Sequence, residues 1–117
     1  MSRQFESNLQ QTCVKWFRYQ YPKLNKCLFA IPNEGKRNPK NASRMYAEGM
    51  LAGVSDLFLA IPKGCWHGFF IEMKWDKNIL TNKQKEFQEA VGKVGYRVIV
   101  IRSFDEFKNQ IEKYLNE

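Results

Sequence analysis

Apolar residues recur along the chain at two spacings, one typical of helices and one typical of strands. In the first twenty residues the spacing is helical, with apolar side chains at Phe5, Leu9, Cys13, Trp16 and Phe17. This pattern predicts a helix from Ser2 to about Gln20, which Tyr21-Pro22 then ends.

Short apolar runs bounded by turn residues predict four strands. They are Cys27–Ile31, Gly53–Ala60, Phe69–Trp75 and Tyr96–Ile101. The segment 61–68 between the two central runs is rich in glycine and proline, which favours a direct hairpin. The last run, YRVIVI, is β-branched and strongly apolar, so we expect it to be central in the sheet or covered on both faces.

Three further helices complete the predicted order. They are expected from Asn38-Pro39 to about Glu48, from Thr81 to the stop signal at Gly95, and from Ser103 through Leu115. Thr81 with Gln84, and Ser103 with Glu106, have the spacing of capping boxes. The order α-β-α-β-β-α-β-α fits a single α/β sandwich over residues 1–117, with a four-stranded sheet of mixed direction flanked by helices.

Three charged residues interrupt the two central apolar runs, namely Asp56, Glu72 and Lys74. Charged residues are poor strand formers and are costly to bury unpaired. One interpretation is a surface pair between Glu72 and Lys74, with Asp56 bonding the turn at Gly53. That interpretation would suffice for an isolated Glu-x-Lys. It is less favoured here, because Asp56 lies at the end of a strand that can pair with the Glu-x-Lys strand.

The predicted hairpin brings the three charges together. Folded on its central loop, it places Phe58 opposite Phe70 and Asp56 opposite Glu72. Lys74 shares the face of Glu72, since side chains alternate along a strand. Two carboxylates this close repel unless a cation lies between them, and Mg²⁺ prefers oxygen ligands. Lys74 could orient an attacking water, so the cluster predicts a metal-dependent phosphodiester hydrolase.

Glu6 lies near the middle of the apolar face of the first helix. A carboxylate there could reach water or an arginine at the edge of the core, or it could point inward at a cation. The helical wheel favours neither alternative.

Charge and cysteine content change this picture only slightly. Lysine and arginine total 19 against 12 acidic residues, and a net charge of +7 suits either a polyanion or ordinary solubility. The basic residues around the second predicted helix are either a solvated surface or a phosphate-contacting segment; they are Lys36, Arg37, Lys40 and Arg44. Three cysteines without a CxxC pair, and one histidine, argue against structural zinc.

The sequence has no feature typical of a membrane span or of an exported protein. No apolar run approaches the ~20 residues of a membrane span. The N-terminal residues lack the apolar core of a signal peptide. We therefore expect a cytoplasmic protein.

Four stretches together resemble a known nuclease group. GVSDLFL, FIEMKW, LTNKQKEF and GYRVIVIRS are similar to the PD-(D/E)xK superfamily and, within it, to the VRR-NUC family. The similarity spans nearly the whole chain and includes Glu6 and the PNEGKR loop. The short Asp…Glu-x-Lys signature is loose, but its combination with the glutamine-bearing helix and the GYRV strand is specific.

The resemblance implies a restriction-endonuclease-like fold and cleavage of DNA with Mg²⁺ or Mn²⁺. By position, the implied metal ligands are Asp56, Glu72, the Met73 backbone carbonyl and Glu6. Lys74 would serve the attacking water. Gln84 matches a helix glutamine found near such active sites. The capping box also accounts for Gln84, and the two roles are compatible only if the side chain is not committed to the cap.

Standalone relatives in phages and bacteria resemble homodimeric Holliday-junction resolvases, which implies a homodimer acting on branched DNA. Many relatives have proline where this chain has Ser55. Proline would fix the backbone there and supply no ligand, so we expect activity to be retained. The alternatives are a flap or non-specific DNA nuclease, an RNA or tRNA nuclease of related fold, and a basic DNA-binding module without catalysis.

Overall fold

A four-stranded sheet divides the molecule into two unlike faces. The computed structural model describes residues 2–32 and 39–116, and the side chains of Ser2, Pro39 and Lys40 are not described. The elements are α1 (Ser2–Gln20), β1 (Leu28–Ala30), α2 (Pro39–Ala47), β2 (Leu57–Leu59), β3 (Phe69–Met73), α3 (Asn82–Lys93), β4 (Arg97–Ile101) and α4 (Phe104–Leu115). The predicted order of elements and the mixed sheet are confirmed.

The strands lie in the order β1-β2-β3-β4, which follows the chain. β1 pairs antiparallel with β2 and β2 with β3, whereas β3 and β4 are parallel. Parallel neighbours need a crossover, and α3 supplies it. This arrangement puts the N-terminal end of α3 close to the end of β3, where the candidate site lies.

One face of the sheet carries the hydrophobic core. Alternate residues of β2 and β3 point towards α1 and α4, and the fully buried side chains include Cys13, Phe17, Leu57, Leu59, Phe69, Ile71, Phe107 and Ile111. Burial raises the pKa of the Cys13 thiol to about 12. Such a thiol is unreactive at neutral pH, which agrees with the position of Cys13 on the apolar face of the first helix.

The opposite face is aromatic and only partly covered. The Phe58 and Phe70 rings lie 4.5 Å apart, and Phe87 of α3 contacts Phe70 edge-on at 5.1 Å. α3 therefore covers the half of this face formed by β3 and β4. On β1, Phe29 remains 45% exposed.

β4 is an edge strand, so of the two predicted alternatives the central position is not observed and coverage on both faces is. Helices α3 and α4 pack against it, but Arg97–Val100 are only half-buried and Ile101 alone is fully buried. Coverage by a helix on each face is enough to require apolar residues. An apolar run therefore does not by itself distinguish a central strand from a covered edge.

Two strands are shorter than predicted at the ends next to the site. β2 begins at Leu57, and Gly53, with φ of +91°, lies outside the extended conformation of a strand. β3 stops at Met73, two residues before Trp75.

The two predicted capping boxes differ. At Thr81 both reciprocal hydrogen bonds are present. At Ser103 the hydroxyl accepts from the Glu106 N–H at 3.2 Å, but the Glu106 carboxylate accepts from the Arg102 N–H at 2.6 Å. The second box is therefore incomplete.

Gly53 packs directly on the start of α3. A Cβ at Gly53 would lie 2.4 Å from the carbonyl oxygen of Lys83, whereas a Cβ at Gly49, also at positive φ, would meet nothing within 4 Å. We expect Gly53→Ala to destabilise the protein more than Gly49→Ala, by over about 1 kcal/mol or roughly 4 °C in Tm. Thermal unfolding of both variants measures this difference. Equal losses would contradict the close contact.

Candidate active site

Asp56 and Glu72 face each other across the β2–β3 hairpin. Phe58 pairs with Phe70, so the predicted register is confirmed, and its continuation places Asp56 opposite Glu72. The Met73 N–H donates a hydrogen bond of 2.7 Å to Asp56 Oδ2. Just before β2 begins, the Asp56 side chain accepts the β3 N–H in place of a backbone carbonyl. This hydrogen bond holds the Asp56 carboxylate beside β3.

The two carboxyl groups share an electrostatically unfavourable position. Glu72 is 2% exposed and Asp56 is half-buried. Burial raises the pKa of Glu72 to about 9, and the adjacent negative charge of Asp56 adds to the effect. Burial also raises the pKa of Asp56, against the opposing hydrogen bonds from Met73 and Glu72. Without a cation, this pair therefore favours retaining a proton.

Lys74 lies on the same strand face as Glu72 and is 8% exposed. Its backbone N–H donates to the Ile101 carbonyl oxygen at 3.0 Å, which extends the contact with β4 beyond the end of β3. The Lys74 charge lowers the pKa of both Asp56 and Glu72. The predicted grouping of these three charges is thus present in the fold.

Gln84 belongs to the helix cap and to the site at once. Its Oε1 accepts the Thr81 N–H at 2.9 Å, while its Nε2 donates to Glu72 Oε2 at 3.1 Å. The predicted condition, that Gln84 reaches the site only if it is not committed to the cap, is wrong. Both contacts are present because the two ends of one amide serve different partners.

Glu6 anchors the chain that leaves β3. Its Oε2 accepts the Trp75 N–H at 3.1 Å and the Asn78 side-chain amide at 3.4 Å. The Phe5 ring stacks on Trp75 with centroids 4.6 Å apart. Glu6 also lies near enough to raise the pKa values of both site carboxyl groups by its charge. It therefore borders the site and fixes the segment after Lys74.

The donor set fits a hard divalent cation. Glu72 Oε1 is buried and accepts no hydrogen bond from the described residues, while Gln84 donates to Oε2. An ion between Glu72 and Asp56 would satisfy that oxygen and offset the repulsion. No group of three or more His, Cys, Asp or Glu side chains across residues 2–32 and 39–116 is placed to hold an ion. Ligation by Glu6 and by the Met73 carbonyl stays a prediction.

The predicted phosphate-contacting residues are only partly described. Lys36 and Arg37 lie outside the described residues, and Lys40 is described only as a position in α2. Arg44 is exposed and forms an ion pair of 3.3 Å with Glu48. Such exposed pairs are weak, so Arg44 stays available to a phosphate.

Several residues that shape the site gave no usable signal in the sequence. Trp75 and Asn78 contribute a backbone N–H and an amide to Glu6, which no local pattern reveals. Ser55 is fully buried, and its hydroxyl lacks a partner among the residues that the structure describes. Gly53 could have been suspected from its turn position, but its contact with α3 could not.

Comparison with known proteins identifies a family for this chain. The family model described as VRR-NUC domain matches residues 4–105. A solved structure titled "VRR_NUC domain protein" superposes with a TM-score of 0.82 at 29% identity, covering 95% of this chain and 88% of that one. No curated protein gives a significant match. The matched span contains every residue of the candidate site.

The buried carboxyl pair predicts a characteristic pH dependence of metal-free stability. The pKa of Glu72 in the folded protein, about 9, lies above its ordinary value of 4.5. The protonated Glu72 therefore contributes fully to the free energy of unfolding below pH 4.5, and this contribution is lost as the pH rises through 9. In chelator we expect the Tm of the wild type to fall by several degrees between pH 6 and pH 9. Glu72→Gln should reduce this fall, and exposed Glu86→Gln should not.

Added Mg²⁺ should also reduce the fall in the wild type, because the ion stabilises the ionised pair. Thermal unfolding across pH, with and without the ion, measures both effects. A wild-type slope that neither Glu72→Gln nor Mg²⁺ changes would contradict the buried pair.

The double role of Gln84 can be separated by two alanine substitutions. Thr81→Ala removes the cap hydroxyl and should cost about 1 kcal/mol, with Mg²⁺ affinity retained. Gln84→Ala also removes the donor to Glu72, so Mg²⁺ affinity should fall about tenfold or more. Titration calorimetry and thermal unfolding report the two effects. Equal Mg²⁺ affinities in both variants would assign Gln84 to the cap alone.

Proposed function

Since the chain belongs to the VRR-NUC family, a nuclease-type family, we propose that it is a DNA endonuclease that hydrolyses phosphodiester bonds with Mg²⁺ or Mn²⁺. The observation that carries the proposal is the buried Asp56–Glu72 pair beside Lys74, with one Glu72 oxygen left unpartnered within the described chain. Burying ionisable groups in this way costs folding free energy, and such clusters are found mainly at functional sites.

Each side chain then has a distinct task. Asp56 and Glu72 would hold a divalent ion at the end of the hairpin, and the ion would supply positive charge to polarise the phosphate and lower the pKa of a water. The Lys74 ammonium orients the attacking water and neutralises charge that develops on the phosphate. Gln84 fixes the Glu72 carboxylate, so that the geometry exists before the substrate arrives.

Branched DNA, such as a Holliday junction, is the proposed substrate, and a homodimer is the proposed assembly. The resemblance to standalone family members supports both. Tyr46 and Leu51 expose 48% and 56% of their surface, and a second copy could cover these apolar groups. A two-fold dimer would present two equivalent sites to two strands of a symmetric junction. The basic residues Lys36, Arg37, Lys40 and Arg44 are the proposed phosphate contacts.

A panel of labelled substrates tests the activity. It contains a four-way junction, a flap, a duplex, a single strand and RNA, each with Mg²⁺, Mn²⁺ or chelator. We expect junction cleavage with either ion and none in chelator. Asp56→Asn and Lys74→Met should each lower the rate at least about 100-fold. Lys77→Met, at an exposed neighbouring position, should leave it unchanged.

The outcomes separate the alternatives. A wild-type protein that binds but never cuts is a binding module, and this result would reject the enzyme. Preferential cleavage of the flap or of RNA would replace the junction by that substrate. Sedimentation of the wild type, alone and with the junction, reports whether two copies assemble.

A further inference from the structure

The outer edge of β4 carries backbone groups that the sheet leaves unpaired. β4 is the last strand of the sheet, and its Arg97 N–H donates to the Gly68 carbonyl oxygen at 3.0 Å. Alternate residues of a parallel strand bond to the same neighbour, so Val98 and Val100 direct their N–H and C=O groups away from β3. No described residue pairs with these groups. Residues 98–100 are apolar and β-branched, without the charge or proline that usually protects an edge.

A groove of about 430 Å³ lies beside this edge, between β4 and α3. Gln88 of α3 lines it together with Tyr96 and Val98, and no residue of the candidate active site does. The Gln88 Nε2 is buried and donates to no described residue. A buried amide without an acceptor is unfavourable, and an acceptor placed in the groove would satisfy it. We call this feature the β4 groove.

Positive charge borders the β4 groove on both faces of the sheet. Lys85 lines it from α3, and Arg97, also in the lining, lies on the opposite face with Phe69, because side chains alternate along a strand. Neither cation forms an ion pair with a described residue, whereas Glu89 of the lining is paired with Lys93 at 3.1 Å. The uncompensated positive charge favours an acidic ligand.

The backbone groups of the edge select between possible occupants. An extended polypeptide repeats its N–H and C=O groups every second residue, about 6.6 Å apart, which is the interval that separates Val98 from Val100. A nucleic-acid phosphate accepts hydrogen bonds but donates none, so the carbonyl groups of the edge would stay unpaired. A second copy of β4 would bring two positively charged edges together, which is unfavourable. An acidic polypeptide strand meets both requirements.

We propose that the β4 groove binds an extended acidic segment of a partner protein, which joins the sheet as a fifth strand. Its backbone pairs with Val98 and Val100, and one of its oxygens accepts the Gln88 amide. Successive side chains of a strand point to opposite faces, so two neighbouring acidic residues meet Lys85 on one face and Arg97 on the other. The segment would connect the proposed nuclease to a protein assembly through a surface that contains none of the candidate site residues.

Amide hydrogen exchange, followed by NMR in chelator and without DNA, tests the pairing. The probe is a fluorescein-labelled decapeptide of valine and threonine with two adjacent glutamates at its centre. In the free protein the Val98 and Val100 amides should exchange faster than the Ile99 amide, which faces β3. Saturating peptide should slow the exchange of Val98 and Val100 at least about tenfold and leave Ile99 unchanged. Bound peptide without this slowing would overturn the proposal.

The contact residues have a matched control on the same helix. Lys85→Gln should weaken peptide binding at least about threefold, measured by fluorescence anisotropy, whereas Lys83→Gln, exposed and outside the groove, should retain it. Gln88→Met removes the buried amide and should weaken binding about fivefold without lowering Tm, because the amide has no described partner to lose. Equal losses for Lys85→Gln and Lys83→Gln would reduce the effect to net charge and overturn the groove.

Changes to the peptide and to the conditions identify the occupant. N-methylation of every second peptide residue should abolish binding when the edge-facing N–H groups are methylated and not when the others are. Equal binding of the two methylated peptides would overturn strand addition. Val98 and Val100 amides that are protected without peptide, and lose protection on dilution, would assign the edge to a second copy. Equal protection by a single-stranded oligothymidylate would assign it to nucleic acid, and either assignment overturns the acidic partner.

These results are independent of the proposed activity, because no cleavage is measured. Peptide binding at the edge by a protein that cuts no substrate would support the β4 groove and reject the nuclease. Cleavage by a protein whose Val98 and Val100 amides never gain protection would overturn the groove alone.

Discussion

The rest of the site depends on two carboxylates held side by side in a buried position. Asp56 and Glu72 repel each other, and their burial opposes ionisation. Neighbouring groups must therefore stabilise the two carboxylates by hydrogen bonds and positive charge. The Met73 N–H, the Gln84 amide and the Lys74 charge provide part of this stabilisation. One Glu72 oxygen remains without a partner in the described structure, and this remaining imbalance is what a divalent ion would remove.

Three separate parts of the chain hold this pair in place. The hairpin supplies the carboxylates, α3 supplies Gln84, and α1 supplies Glu6. Gln84 connects a helix terminus to the site through the two ends of one amide, so the position of α3 and the orientation of Glu72 are linked. Glu6 links the position of α1 to that of the chain after Lys74, because it accepts the Trp75 N–H. The site is therefore a property of the packed domain, more than of the hairpin.

Helix α1 serves both the core and the site. Cys13 and Phe17 pack into the core, which fixes the helix relative to the sheet. Glu6 on the same helix accepts the Trp75 N–H, so the chain after Lys74 is tied to an element that the core holds in place.

Local patterns were sufficient for much of this protein. Folding the two central runs on the loop between them predicted that Phe58 pairs with Phe70, which also brings Asp56 opposite Glu72; a slip of one residue would separate the two carboxylates. The spacing of Thr81 and Gln84 predicted the complete cap. Tertiary structure alone decided that β4 lies at the edge, that Gly53 touches Lys83, and that Glu6 accepts the Trp75 N–H. These features depend on how helices pack across the sheet, and contacts between residues distant in the chain leave no periodicity in the sequence.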